Sequence, residues 1–86
     1  MPARDDRDAI LRAASKGLRL HEPLQHAQIA EITDGWSAAE LAAIWSEAAI
    51  LSVLDRRTTI RNEDYRGGHD RVAVQRNRIP AEGRRP

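Results

Sequence analysis

Residues 35–57, GWSAAELAAIWSEAAILSVLDRR, form the longest apolar-patterned run in the chain. Leu41, Ile44, Trp45, Ala48, Ala49, Leu51 and Ser52 recur every three to four positions, which is the signature of one broad helical face. The start is marked by Ser37-Ala38-Ala39-Glu40. A serine hydroxyl there can accept from the amide three residues on, and the glutamate carboxylate can reach back to the serine amide. Gly35, just before, suits the left-handed conformation a chain adopts on leaving one helix and entering the next. The small residues on the face allow neighbouring helices to approach closely. Trp36 has two readings, a staple packed on Leu41 or a side chain facing a partner domain.

Such a helix must bury its face against other elements. The spacing predicts three more. Ile10, Leu11, Ala14 and Leu18 mark a first helix that begins at Asp5 or Asp6 and ends near Gly17. Residues 18–24 form an irregular connector, because Pro23 forces Glu22 out of the helical region. Leu24, Ala27, Ile29, Ala30 and Ile32 mark a second helix of about two turns. Beyond Arg56-Arg57 and the β-branched Thr58-Thr59-Ile60, Asn62 is the expected N-cap of a fourth helix, with Glu63 and Asp64 in its first turn. That helix should run to about Val74 and fray or kink at Gly67-Gly68, since each internal glycine costs about 1 kcal/mol relative to alanine. No strand is expected beyond a residue or two around Ile60. The fold class is all-α, a small four-helix bundle over residues 4–74 with the third helix central.

With 86 residues this is at most one small domain. It has no cysteine, which excludes disulfides, thiolate zinc sites and cysteine nucleophiles. Its longest apolar stretch is interrupted by Glu47 and Ser52, short of the roughly 20 residues a membrane span needs. The formal charge is only +1, yet Arg71, Arg76, Arg78, Arg84 and Arg85 are opposed beyond residue 70 by Glu82 alone. Residues 75–86 read as a disordered, arginine-rich tail. No aromatic is interleaved among those arginines, so nucleic-acid binding is not expected.

Asp8-Ala9-Ile10-Leu11, Leu18-Arg19-Leu20, the junction Ile29-Ala30-Glu31-Ile32-Thr33-Asp34-Gly35-Trp36-Ser37-Ala38-Ala39-Glu40-Leu41, Ser46-Glu47-Ala48-Ala49 and Ile60 to Asp64 follow in a particular order. In that order the chain resembles the C-terminal small domain, or lid, of AAA+ ATPases. The resemblance is to the branch with proteasomal ATPases, membrane-bound metalloproteases and double-ring unfoldases. It implies a module that closes over ATP, with its Mg, held mainly by a separate large domain, and that couples nucleotide state to motion between subunits during protein unfolding or degradation. It also implies a cytoplasmic homo-hexamer for the parent. Partners would be the large domains of the same and the neighbouring subunit, and the fragment alone would be a monomer.

Carried over by resemblance, the contact with base and ribose falls on Gly35, Ala38 and Ala39, with Ile10 and Ala14 contributing from the first helix. Small side chains at a helix start let backbone approach a flat ligand. The family often has a histidine where Ala14 stands, a glycine at Ala38 and an aspartate at Glu40; the first two changes thin or crowd the contact. No GxxxxGK[ST] phosphate loop occurs, so no catalytic residue is assigned and no ATP hydrolysis is expected of this chain alone.

Other signals are weaker. His21, His26 and His69 have no i,i+4 partner and read as solvated or capping, not as metal ligands. Glu47 is expected to pair with an arginine such as Arg12, and Trp45 to lie in the core. The alternative function is a stand-alone interaction module of histone-fold type, which would expose a long apolar seam and dimerise. A DNA-binding helix-turn-helix ranks last, because its reading helix would begin Ala-Ala-Glu.

Overall fold

The computed structural model describes the backbone of residues 1–83 and the side chains of residues 1–77. Four helices follow in order: α1 (Arg4–Ala14), α2 (His26–Glu31), α3 (Ala38–Leu54) and α4 (Asn62–Gly83). Among the described residues the extended structure is a single isolated parallel bridge between Leu20 and Ile60. It is closed by Ile60 N–H donating to Arg19 O and His21 N–H donating to Ile60 O. The chain is therefore the all-α bundle that the apolar spacing requires.

Each boundary has a local cause. Asp5 and Asp6 occupy the first turn of α1, and Ser15 follows its end with its hydroxyl donating to Arg12 O at 2.8 Å. Gly17 then turns the chain at φ 87°. The connector passes a cis Glu22–Pro23 bond, and α2 follows with six residues, close to the two turns expected. Thr33, fully buried, closes α2 by donating its hydroxyl to Ile29 O and Ala30 O. Gly35 has φ 84°, the left-handed value expected of it. Both halves of the capping box are present at α3: Glu40 N–H donates to Ser37 Oγ at 3.2 Å, and Ser37 N–H donates to Glu40 Oε1 at 2.8 Å.

The fourth helix departs from expectation in three ways. Asn62 lies inside the first turn and is not the cap. Its side chain instead accepts from Gln25 N–H at 2.8 Å and donates to Pro23 O, tying α4 to the connector. Asp64 takes up the terminal amide, accepting from Arg61 N–H at 2.9 Å, and also pairs with Arg57. Second, Gly67-Gly68 neither frays nor kinks the helix. A Cβ at Gly68 would sit 2.5 Å from Ile44 O and 2.9 Å from Ala48 N, and one at Gly67 would sit 2.7 Å from Leu51 Cδ1. The glycines thus set the approach of α4 to α3, the largest helix–helix interface in the molecule. Third, α4 continues past Val74. Residues 75–77, expected in the tail, are helical because Arg76 is anchored to α3 and the turn before it. The tail expectation for residues 84–86 lies outside the described residues, as do the side chains of residues 78–83.

The core comprises Leu11, Leu24, Ile29, Ala30, Trp36, Leu41, Ile44, Trp45, Ala48, Ile60, Tyr65 and Val72. Trp45 is buried as expected, its indole donating to Leu11 O at 2.8 Å across the α1–α3 crossing. It stacks on Tyr65, ring centroids 4.2 Å apart, and Tyr65 OH is hydrogen-bonded to His26 Nδ1 at 3.0 Å. His26 is therefore a buried core histidine, not a solvated one. Burial pushes the Tyr65 hydroxyl well above its ordinary range and holds His26 below its own, the latter helped by the nearby Arg12 charge. Glu47 pairs across to Arg71 of α4 at 2.6 Å, not to Arg12, which pairs with Asp8 on its own helix.

Candidate functional site

The turn between α2 and α3 is where the sequence-assigned residues concentrate. Gly35 is half-buried, and Ala38 and Ala39 are exposed at the first turn of α3. A Cβ added at Gly35 would meet nothing within 4 Å, so the turn presents bare backbone to open space. The first amides of a helix have no intrahelical acceptor. Here the capping box occupies those of Ser37 and Glu40, and Ala38 and Ala39 carry the amides left over, with only methyl groups around them. This surface fits the approach of a flat, hydrogen-bonding ligand. Ile10 and Ala14 are half-buried and pack against the core from α1.

Ala39 does line a groove. It has a volume of about 180 Å³ and is formed with Glu40, Ala43, Val72, Gln75 and Arg76 between α3 and α4. Binding pockets for organic ligands usually enclose about 300–1,000 Å³, so this face supplies one wall of a site and not the whole. A larger cavity, about 470 Å³, is lined by Gly17, Leu18, Arg19, Ser52, Val53 and Arg57 among others. It lies at the opposite end of α3, about 20 Å away at the rise of an α-helix, and is separate from the turn.

Sequence reading missed what holds the turn. From the α1 side, the buried Arg7 donates to Ala30 O at 2.9 Å and to Pro2 O at 3.0 Å, and lies 3.6 Å from Asp34. From the α4 side, Arg76 donates through Nε to Glu40 Oε2 at 3.1 Å and through Nη2 to Gly35 O at 3.3 Å. The Ser37 amide above all, and then Arg76, hold the Glu40 carboxyl below its usual range despite partial burial. Trp36 is 4% exposed. Its ring stacks on His69, centroids 5.0 Å apart and planes 5° from parallel, and the Arg76 guanidinium lies over it at 5.1 Å. His69, whose Nδ1 also bonds Asp70, is thus neither solvated nor a cap. The one legible signal was the seven-residue spacing of His69 and Arg76, which places them on one helical face.

Among the described residues no group of three or more His, Cys, Asp or Glu could hold a metal ion. Among the described residues no helix is long and apolar enough to cross a membrane.

Comparison with known proteins bears on the same segment. The AAA+ lid domain family model matches residues 24–66, half the chain and inclusive of the turn. The chain is 41% identical over 72 residues to the ATP-dependent zinc metalloprotease FtsH 2 of Sphaerobacter thermophilus, covering 84% of this chain and 11% of that protein. It is 37% identical over 76 residues to the FtsH metalloprotease of Acidothermus cellulolyticus, covering 88% and 11%. It is 33% identical over 72 residues to the proteasome-activating nucleotidase of Methanothermobacter thermautotrophicus, covering 84% and 18%. The chain therefore spans less than a fifth of the length of these relatives.

Proposed function

The chain belongs to the AAA+ lid domain family, and from that premise we propose that it closes over ATP bound by a separate large domain and couples nucleotide state to motion between subunits. The observation that carries this reading is the bare turn: Gly35 in a left-handed conformation with open space before it, followed by exposed Ala38 and Ala39 at the start of a doubly capped helix. Base and ribose are flat or shallow groups that a backbone-lined surface can meet closely. Phosphate and Mg would be held by a phosphate loop on the large domain, and hydrolysis there supplies the free energy for motion.

The closing motion requires a lid that moves as one body. The continuous core, the glycine-mediated α3–α4 contact and the two arginines on the turn supply that rigidity. A face toward neighbouring large domains is supported by Ile50, Val53 and Leu54, which are 48%, 69% and 70% exposed along the end of α3. Apolar side chains left uncovered together mark contact surfaces. The likeness to the metalloproteases and the nucleotidase supports protein degradation as the task, and a hexameric, cytoplasmic parent is part of the same proposal.

The test is nucleotide titration in two contexts. These 86 residues alone lack the phosphate contacts that dominate affinity, and ATP or ADP should produce at most millimolar effects. In the intact AAA+ protein, Ala39→Trp should fill the space meant for the base and lower nucleotide affinity while the cap residues keep the domain folded. Unchanged affinity in that variant, or tight ATP binding by the chain alone, refutes the reading.

A further inference from the structure

Residues i and i+7 of a helix are about 10.5 Å apart along its axis. The Trp36 ring lies 5.0 Å from the His69 ring and 5.1 Å from the Arg76 guanidinium, so it occupies the slot between these two side chains of α4. Arg76 also binds both ends of the turn that carries Trp36: the carbonyl of Gly35 before it and the carboxylate of Glu40 after it. Three kinds of contact, a stack, a cation over a ring and a forked donor, thus converge from one helix on six consecutive residues. Those contacts bridge 33 to 41 positions of sequence and involve the turn that the preceding reading assigns to the nucleotide.

From this juxtaposition we infer that His69 and Arg76 are positioning residues for the Gly35–Ala39 turn, and that the second half of α4 is a latch through which that turn and the C-terminal end of the helix report on one another. The inference rests on the lid reading for the ligand, but the latch itself is a property of this chain. Arg76 withdraws the Gly35 carbonyl and the Glu40 carboxylate from the face beside Ala39. That face then offers the amides and methyl groups of Ala38 and Ala39 without a competing acceptor. When Arg76 lets go, the turn loses its α4 anchor and the Glu40 carboxylate, still bonded to the Ser37 amide, is left without its cation at the site of an anionic ligand. Movement of the α4 end and occupation of the turn are therefore linked, and the linkage works in both directions.

Amide hydrogen exchange on the full chain tests the latch directly. Arg76→Ala should speed exchange at Gly35, Trp36 and Ser37 by about three- to tenfold, the scale of one lost cation–π and ion-pair contact, with exchange at Leu41–Ala48 and the melting temperature nearly unchanged. His69→Ala should do the same, whereas His69→Phe, which keeps a flat ring against Trp36, should stay near wild type. Trp36 fluorescence should shift with the exchange. Exchange at the turn unchanged in both Arg76→Ala and His69→Ala, or raised equally throughout the bundle, overturns the inference. In the intact AAA+ protein, Arg76→Ala should weaken nucleotide affinity several-fold. If Ala39→Trp has no effect on affinity there while the exchange results hold, the ligand assignment fails and the latch stands.

Discussion

Gly68→Ala isolates the contact that decides how α3 and α4 cross. On an exposed helix the substitution would stabilise by about 1 kcal/mol, because alanine is the better helix former. Here the new Cβ would lie 2.5 Å from Ile44 O and 2.9 Å from Ala48 N. Both are backbone atoms inside α3 and cannot rotate away, so relief requires the two helices to separate by most of an ångström along their largest interface. Overpacking of a core costs about 1–3 kcal/mol even where side chains can adjust. The net expectation is a loss of about 2 kcal/mol, or roughly 8–16 °C in melting temperature for a domain of this size. Gly67→Ala is the internal control: its Cβ meets only the terminal methyl of Leu51, at 2.7 Å, which can swing aside. That variant should fall within about 1 kcal/mol of wild type. Urea unfolding monitored by circular dichroism separates the two. A Gly68→Ala protein as stable as wild type, or more so, would refute the close crossing and leave helix propensity as the governing effect.

Ser37→Ala should lower stability by about 0.5–2 kcal/mol through loss of the Glu40 amide's acceptor, seen as a reduced denaturation midpoint at unchanged slope. His26 is held below its ordinary value of 6.5 by burial; the unfolded chain therefore binds the proton first as pH falls, and melting temperature should decline below about pH 6.5, a slope absent in a His26→Gln variant that still folds. Glu40, depressed below 4.5, contributes stability that is present above that pH and lost as pH falls through its folded value, so Glu40→Gln should be less acid-sensitive than wild type. Removing residues 78–86 should leave the melting temperature and amide exchange at the turn nearly unchanged, whereas cutting after Gln75, which also removes Arg76, should speed exchange at Gly35, Trp36 and Ser37 as Arg76→Ala does.

What could be read from the sequence is what is decided within four or five residues. The Ser37–Glu40 box, the left-handed Gly35 and the boundary imposed by Pro23 each follow from a side chain acting on its own neighbourhood, and each stands where the sequence puts it. What could not be read depends on which faces meet. Gly67-Gly68 is a weakness when judged by propensity alone and a requirement once Ile44 and Ala48 are opposite. Glu47 chose Arg71 over Arg12 because α3 lies along α4, and Asn62 bonds Gln25 and Pro23 because the connector returns to the head of α4. His26 carries no local mark of burial; only the meeting of α2 with Trp45 and Tyr65 makes it part of the core.

The same division explains why the candidate site sits where it does. Helix interiors in this bundle have no conformational slack: their backbone bonds are internal and their faces are committed to the core. The α2–α3 turn is different, since its positive φ at Gly35 and its leftover amides at Ala38 and Ala39 leave backbone available to something outside the chain. Backbone exposed in this way is useful only if it is held in place, because a free turn would lose ordering entropy on every encounter with a ligand. Arg7 from α1, Thr33 from the end of α2, and Arg76 with His69 from α4 supply that hold from three sides. A surface that is chemically plain, made of glycine and alanine, is thus defined by charged and aromatic residues 28 positions before it and 41 after. Substituting the alanines tests what the turn touches; substituting the arginines tests whether it must be held to touch anything.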